Sequence, residues 1–211
     1  MKFKVYFVLL FISFWNVSLC AQEQKMSDTE MVTFKQSVSI VSRKIKSLAS
    51  DFVQYKHLAF LSKDIETSGR MIFKEPNMIL WEYKKPYNYS VIFMNGKILI
   101  NDEGKKSAMN VSSSKVFGKI NKLIVGSVSG DMFDDKEFLI TYFKTKTNNI
   151  AKFIPKDASL KKYIKQIELT FDKDDATVIQ IKLLESSDDF TRIVLKNKTL
   201  NAKIEASLFN N

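Results

Sequence analysis

Cysteine occurs once in this 211-residue chain, histidine once, proline three times and glycine six times. A lone thiol excludes a disulfide framework and a thiolate zinc site, and a lone imidazole excludes a multi-histidine metal centre. So little glycine and proline excludes collagen-like and low-complexity chains. Lysine and arginine (33) outnumber aspartate and glutamate (23), yet no block of five like charges occurs. The bases are interleaved with acids, as in Lys136-Glu137 and Lys173-Asp174, so the surplus reads as a solvated basic surface and not as a nucleic-acid groove. Anionic lipid head groups are the better-matched partner for such a charge. There is no P-loop and no G-x-G-x-x-G. The nearest approach to a nucleophile elbow, Gly126-Ser127-Val128-Ser129-Gly130, has valine at its centre. His57 reads as a strand or rim residue. The carboxylate pairs Asp134-Asp135, Asp174-Asp175 and Asp188-Asp189 fall in turns, where they are solvated. No catalytic residue, metal ligand or cofactor is expected; a hydrolase built on Ser127, Ser129 and His57 is the formal alternative.

What is present begins with a leader. Lys2 and Lys4 precede a nearly continuous apolar run, Val5 to Leu19, which ends in Ser18-Leu19-Cys20-Ala21 before the polar stretch Glu23 to Asp28. The run is shorter than the ~20 residues that span a bilayer. It has the three parts of a secretory signal peptide, with cleavage expected after Ala21; lipid attachment at Cys20 is the alternative, which would anchor the protein to a membrane. Cleavage removes two lysines and no acids, leaving 31 basic against 23 acidic side chains, a net +8. It also leaves no cysteine.

Ser27-Asp28-Thr29-Glu30 has the form of a capping box, followed by Met31, Phe34, Val38, Val41, Ile45 and Leu48 at spacings of three and four. The spacing predicts a helix of about 20 residues with one apolar stripe. The period then changes to two, predicting strands near 50–61, 65–75, 78–83, 87–94, 97–102 and 105–111. Asn95-Gly96 and Asp102-Glu103-Gly104 are the turn signals between them. Ser112 to Ser114 offers caps for a second helix, 115–126. Strands resume near 137–145, 149–155, 163–171, 177–184 and 189–196. About eleven strands in series with short turns form an antiparallel meander, and no linker divides residues 22–211.

A sheet of that size has a face of about 1,250 Å², whereas the two helices present about 480 Å² together. The sheet must curl, hold a ligand, or both. Ile79, Trp81 and Tyr83 share a face of one strand; Tyr87, Tyr89, Val91 and Phe93 share a face of the next; Met71 and Phe73 share one before them. Large apolar side chains so arranged either line a cavity for variable chains or fill a barrel core.

The middle of the chain adds a resemblance that favours the first. Ser50-Asp51-Phe52-Val53-Gln54 is followed by Ser68-Gly69-Arg70-Met71-Ile72-Phe73, then Pro76, Trp81-Glu82-Tyr83, Pro86 and Asn95-Gly96-Lys97. These F-x-Q, S-G-x-x-x-F, P-x-x-x-x-W-x-Y-x-x-P and N-G-K elements, in order and at these spacings, resemble the LolA family of periplasmic outer-membrane lipoprotein carriers. The resemblance covers about residues 27–209. It implies an α+β fold, an unclosed antiparallel half-barrel of about 11 strands with a helical lid over an apolar concave face. The implied cavity comprises Phe52, Met71, Phe73, Ile79, Trp81, Tyr83, Tyr89, Val91 and Phe93. Helix 115–126 would be the lid, through Phe117, Ile120 and Ile124. Glu75 stands where family members often carry a basic residue that clasps lid carbonyls, which implies either a looser lid or a latch supplied by a neighbour such as Lys74. The implied setting is the periplasm and the implied state a monomer. The implied partners are lipidated proteins or other acyl lipids, an inner-membrane lipoprotein-releasing ABC transporter and an outer-membrane acceptor. Gln54-x-Lys56-His57-Leu58-x-x-Leu61 is similar to LolA-like members tied to glycolipid or polyene-lipid export, so the cargo class stays open. A non-catalytic structural protein of the envelope is the other alternative. Trp81→Glu is expected to abolish loading and leave the fold intact.

Overall fold

The computed structural model describes residues 22–110, 126, 132–185, 187 and 189–210. The capping box forms as written. Glu30 N–H donates to Ser27 Oγ at 3.4 Å, and Ser27 N–H donates to Glu30 Oε2 at 3.0 Å. The helix it opens, α1 (Asp28–Ser42), buries Phe34 and Val38, with Met31 and Val41 half-buried beside them. α1 stops earlier than the apolar spacing predicts: Arg43 caps it, Ile45 lies in the following turn, and Leu48 already belongs to a strand. Two periodicities overlap there, because Leu48 also alternates with the buried Ser50 and Phe52. The last turns are rich in serine and β-branched residues, and Ser37 and Ser42 turn their hydroxyls back onto the helix carbonyls of Phe34 and Ser39. Such bonds compete with helix propagation.

Lys144 donates to the Glu30 carboxylate, and this bond, with the one from the Ser27 backbone, lowers the Glu30 pKa from 4.5 to about 2. A carboxyl with a depressed folded value stabilises fully above its unfolded value and loses that contribution as pH falls through the folded one. The window for Glu30 therefore runs from about 4.5 down to about 2. Thermal melts at about pH 5 and about pH 3 are expected to differ less for Glu30→Gln than for the parent chain.

Among the described residues, twelve strands form one antiparallel sheet. They are β1 (Gln24–Lys25), β2 (Ser47–His57), β3 (Ile65–Lys74), β4 (Met78–Lys85), β5 (Tyr89–Met94), β6 (Lys97–Asp102), β7 (Lys105–Asn110), β8 (Phe138–Lys144), β9 (Asn148–Pro155), β10 (Ile164–Asp172), β11 (Val178–Glu185) and β12 (Phe190–Leu200). The order is β1-β8-β9-β10-β11-β12-β2-β3-β4-β5-β6-β7, so two meanders join where β12 pairs with β2. The sheet is an unclosed half-barrel with β1 and β7 at its edges. Each predicted strand has a counterpart within a few residues. The strand expected to reach residue 61 ends at His57, where Leu58 starts a turn closed by Leu61 N–H onto its carbonyl. The two-residue β1 and a one-turn helix, α2 (Ala158–Lys161), have no counterpart in the sequence reading. Asn95 and Gly96 both have positive φ, 53° and 72°, as a tight two-residue hairpin with the twist of its strands requires.

The sheet has two apolar faces. The inner one carries α1, whose Phe34 meets Phe171, Phe133 and Tyr142 edge-on at 5.1, 5.8 and 6.2 Å. The outer one carries the row Ile72, Leu80, Ile92 and Leu99, on which the C-terminal segment lays Ile204, Leu208 and the fully buried Phe209. Lys74 fixes that segment by donating to the Ile204 carbonyl at 2.7 Å.

Candidate functional site

α1 has 15 residues and is about 22 Å long, and its Phe34 packs on Tyr142 of β8 and Phe171 of β10. Beyond it, above β2–β5, β11 and β12, lies an apolar cleft of about 480 Å³. The register sets its walls. Trp81 of β4 is paired with Val91 of β5, and Tyr83 with Tyr89; Phe93 follows on the same face. These five line the cleft. Phe52 backs them, edge-on to Trp81 at 5.0 Å and to Tyr83 at 5.1 Å. Between Phe52 and Tyr83 in the ladder stands Gly69, which has no side chain to separate the two rings. Met71, Phe73 and Ile79 share this face but are buried in the core and do not reach the cleft.

The other wall comes from residues the sequence reading did not bring to the site. Leu183 of β11 and Thr191 and Ile193 of β12 line it, with Gln54 and Thr67 between this wall and that of β4 and β5. Ile193 pairs with Gln54, and Gln54 with Thr67. Nothing local signals the contact between β12 and β2, because 146 positions separate residues such as Ser50 and Lys196 that bond across it. Lys85, Pro86 and Tyr87 stand at the mouth.

Polar groups inside are few. Tyr83 Oη donates to Gln54 Oε1 at 3.1 Å. Burial, and then the neighbouring Tyr89, push the Tyr83 phenol up, so it stays neutral and a donor. Thr67 Oγ1 is buried and has no hydrogen-bond partner among the described residues. His57 lies at the rim, stacked on Phe190 at 4.7 Å with Nδ1 2.9 Å from Asp64. Among the described residues no group of three or more His, Cys, Asp or Glu gathers as a metal site would, and no helix is long and apolar enough to cross a membrane.

Trp81 is only 6% exposed although it lines the cleft. Trp81→Glu would therefore bury an unpaired carboxylate and disturb the fold, contrary to the expectation from sequence. Lys74 and Glu75 are both engaged away from the cleft, Lys74 on the outer face and Glu75 with Lys46 at 2.8 Å. Phe117, Ile120 and Ile124, the expected lid contacts, and Val128 lie outside the described residues, as does the expected leader, residues 1–21.

The family described as "Outer membrane lipoprotein carrier protein LolA" matches residues 43–211. The chain belongs to the LolA family. Among solved structures, this LolA-family chain is similar to a LolA superfamily protein from Nitrosomonas europaea, with 6% identity over 85% of this chain and 97% of that one and a TM-score of 0.46. It is similar to an outer membrane lipoprotein-sorting protein domain from Vibrio parahaemolyticus (9%, 85% and 95%, 0.48) and to LprF from Mycobacterium bovis (14%, 86% and 98%, 0.44). None of the curated proteins matches it in sequence.

Proposed function

We propose that this chain is a non-catalytic periplasmic carrier that takes acyl chains of lipidated cargo into the inner-face cleft and moves them from the inner to the outer membrane. The supporting observation is the cleft itself, an unfilled apolar hollow walled by Trp81, Tyr83, Tyr89, Val91 and Phe93 on a LolA-family scaffold. A methylene takes roughly the ~30 Å³ share of a water molecule, so 480 Å³ holds roughly one sixteen-carbon chain. Burying such a chain releases about 0.8 kcal/mol per CH₂, or ~12 kcal/mol in all. No lipidated cargo crosses water without that shielding.

A carrier must also let go. With no nucleotide motif in the sequence, release depends on exchange of contacts and not on ATP. Thr67 Oγ1 and the Gln54–Tyr83 pair give the cleft a polar end suited to the ester or amide that joins an acyl chain to its head group. An acceptor at the outer membrane and a releasing transporter at the inner one complete the route.

The test is uptake of a hydrophobic fluorescent probe by the mature protein, together with mass spectrometry of what co-purifies from the native periplasm. Saturable uptake and acylated co-purifying material are expected. A chain that stays dark and emerges without lipid would be a filled structural protein instead. The identity of the lipid separates lipoprotein cargo from glycolipid or polyene-lipid cargo.

A further inference from the structure

One end of the half-barrel collects a pattern the cleft alone does not explain. The β2–β3 turn (58–64), the β4–β5 turn (86–88) and the start of β12 all lie at that end, because Lys56 pairs with Ile65, Ser68 with Lys85 and His57 with Phe190. Phe60, in the first turn, is 81% exposed, more than any other large apolar side chain described; Tyr87, in the second, is 69% exposed. Leu61 and Ile65 are exposed beside Phe60. Two strand spacings separate the turns, about 10 Å, and the cleft mouth at Lys85, Pro86 and Tyr87 adjoins them.

Charge favours one occupant. Lys63 and Lys85 are exposed and have no acidic partner among the described residues, and Lys84 reaches Glu82 only at 3.7 Å. Four of the acids nearby are engaged, and the exposed Glu66, Asp102 and Glu103 at this end are outnumbered by the exposed Lys63, Lys84, Lys85, Lys105 and Lys106. Asp64 binds His57, Glu185 binds Lys56, Glu82 binds Arg70 at 2.5 Å, and Asp189 accepts the Ala59 N–H at 2.8 Å. Exposed aromatic side chains ringed by lysines suit the boundary between phosphate head groups and acyl chains.

We infer that this rim docks on an anionic phospholipid bilayer, seating Phe60 and Tyr87 among the head groups so that the cleft mouth faces the membrane. The inference rests on the carrier reading for its purpose but not for its test. Mature protein is sedimented with vesicles of phosphatidylglycerol and phosphatidylethanolamine, and with vesicles of phosphatidylcholine alone. Binding is expected only to the anionic vesicles. Phe60→Ser is expected to weaken it about tenfold or more, the value of one buried aromatic side chain. The pair Lys63→Ala and Lys84→Ala is expected to weaken it roughly 25-fold, at about fivefold for each lysine near the surface. None of these residues lines the cleft, so uptake of the soluble probe stays at the parent level in each variant. Parent protein that ignores anionic vesicles, or variants that bind them like the parent, would overturn the inference. So would a stable dimer in sedimentation equilibrium that Phe60→Ser dissolves, since the rim would then face a second copy. Vesicle binding without probe uptake would count against the carrier reading and leave the docking rim standing.

Discussion

Gly69→Ala is expected to prevent stable folding, or to lower the urea midpoint more than any other single methyl addition on the sheet. A Cβ at Gly69 would stand 1.9 Å from the Glu82 carbonyl oxygen, 2.8 Å from its carbon and 2.9 Å from Tyr83 Cα. All three are backbone atoms of the neighbouring strand, so no side chain can swing aside. The register explains the closeness. Gly69 faces Tyr83 while Ser68 faces Lys85, and the extra residue, Lys84, bulges β4 against β3 at this point. Overpacking by a methylene costs about 1–3 kcal/mol where side chains can adjust, and here the cost exceeds that range. A domain stable by about 5–15 kcal/mol has little margin for it. Gly96→Ala is the useful contrast. Nothing lies within 4 Å of a Cβ there, and only the positive φ of 72° is unfavourable, which costs about 1–2 kcal/mol. Equal midpoints for the two variants would mean that β3 and β4 are not so closely apposed.

Val91→Glu is expected to weaken probe binding about 30-fold, or ~2 kcal/mol, without unfolding the protein. Val91 is half-buried, lines the cleft and lies between Trp81 and Ile100 in the sheet. An introduced carboxylate there would sit against an acyl chain, among the apolar side chains of Trp81, Phe93 and Ile193. Its pKa would rise, because burial disfavours the charged form. Binding should therefore recover in part as the pH is lowered from about 7 to about 5, since protonation removes the charge. That range stays above the acid window in which Glu30 loses its contribution. Val91→Gln, neutral throughout, should bind more weakly than the parent at every pH and show no such recovery. A Val91→Glu protein that takes up probe like the parent would place the ligand elsewhere.

Sequence pattern located the elements, and the family resemblance implied the unclosed antiparallel half-barrel that the sheet forms; what neither supplied was which distant strands pair. Period-two runs and the Asn95-Gly96 turn located the strands, and the aromatic faces of β4 and β5 supplied one wall of the cleft. The opposite wall depends on β12 returning to pair with β2, and pattern within a strand contains no address for a partner so far along the chain. Burial on both faces hid a second distinction. Met71, Phe73 and Ile79 have the same alternation as Trp81 and Val91, yet they lie deeper in the core. The overrun of α1 has a local cause, since Leu48 satisfies a helical spacing and a strand alternation at once. The outer-face cluster was visible only as a pair of apolar residues near the C-terminus, Ile204 and Phe209. Docking of that segment now accounts for Lys74 as well.

Tryptophan offers the most direct measurement. Of the two in the chain, Trp15 precedes Gln22, so a protein produced from Gln22 onward carries Trp81 alone, in the wall of the cleft. A fatty acid brominated near the middle of its chain quenches indole emission only at close range. Titrated into the mature protein, it is expected to quench Trp81 saturably, at about one chain per protein. The unbrominated acid should compete and restore the emission. Binding that leaves the emission unchanged, or no binding at all, would contradict a cleft that houses acyl chains.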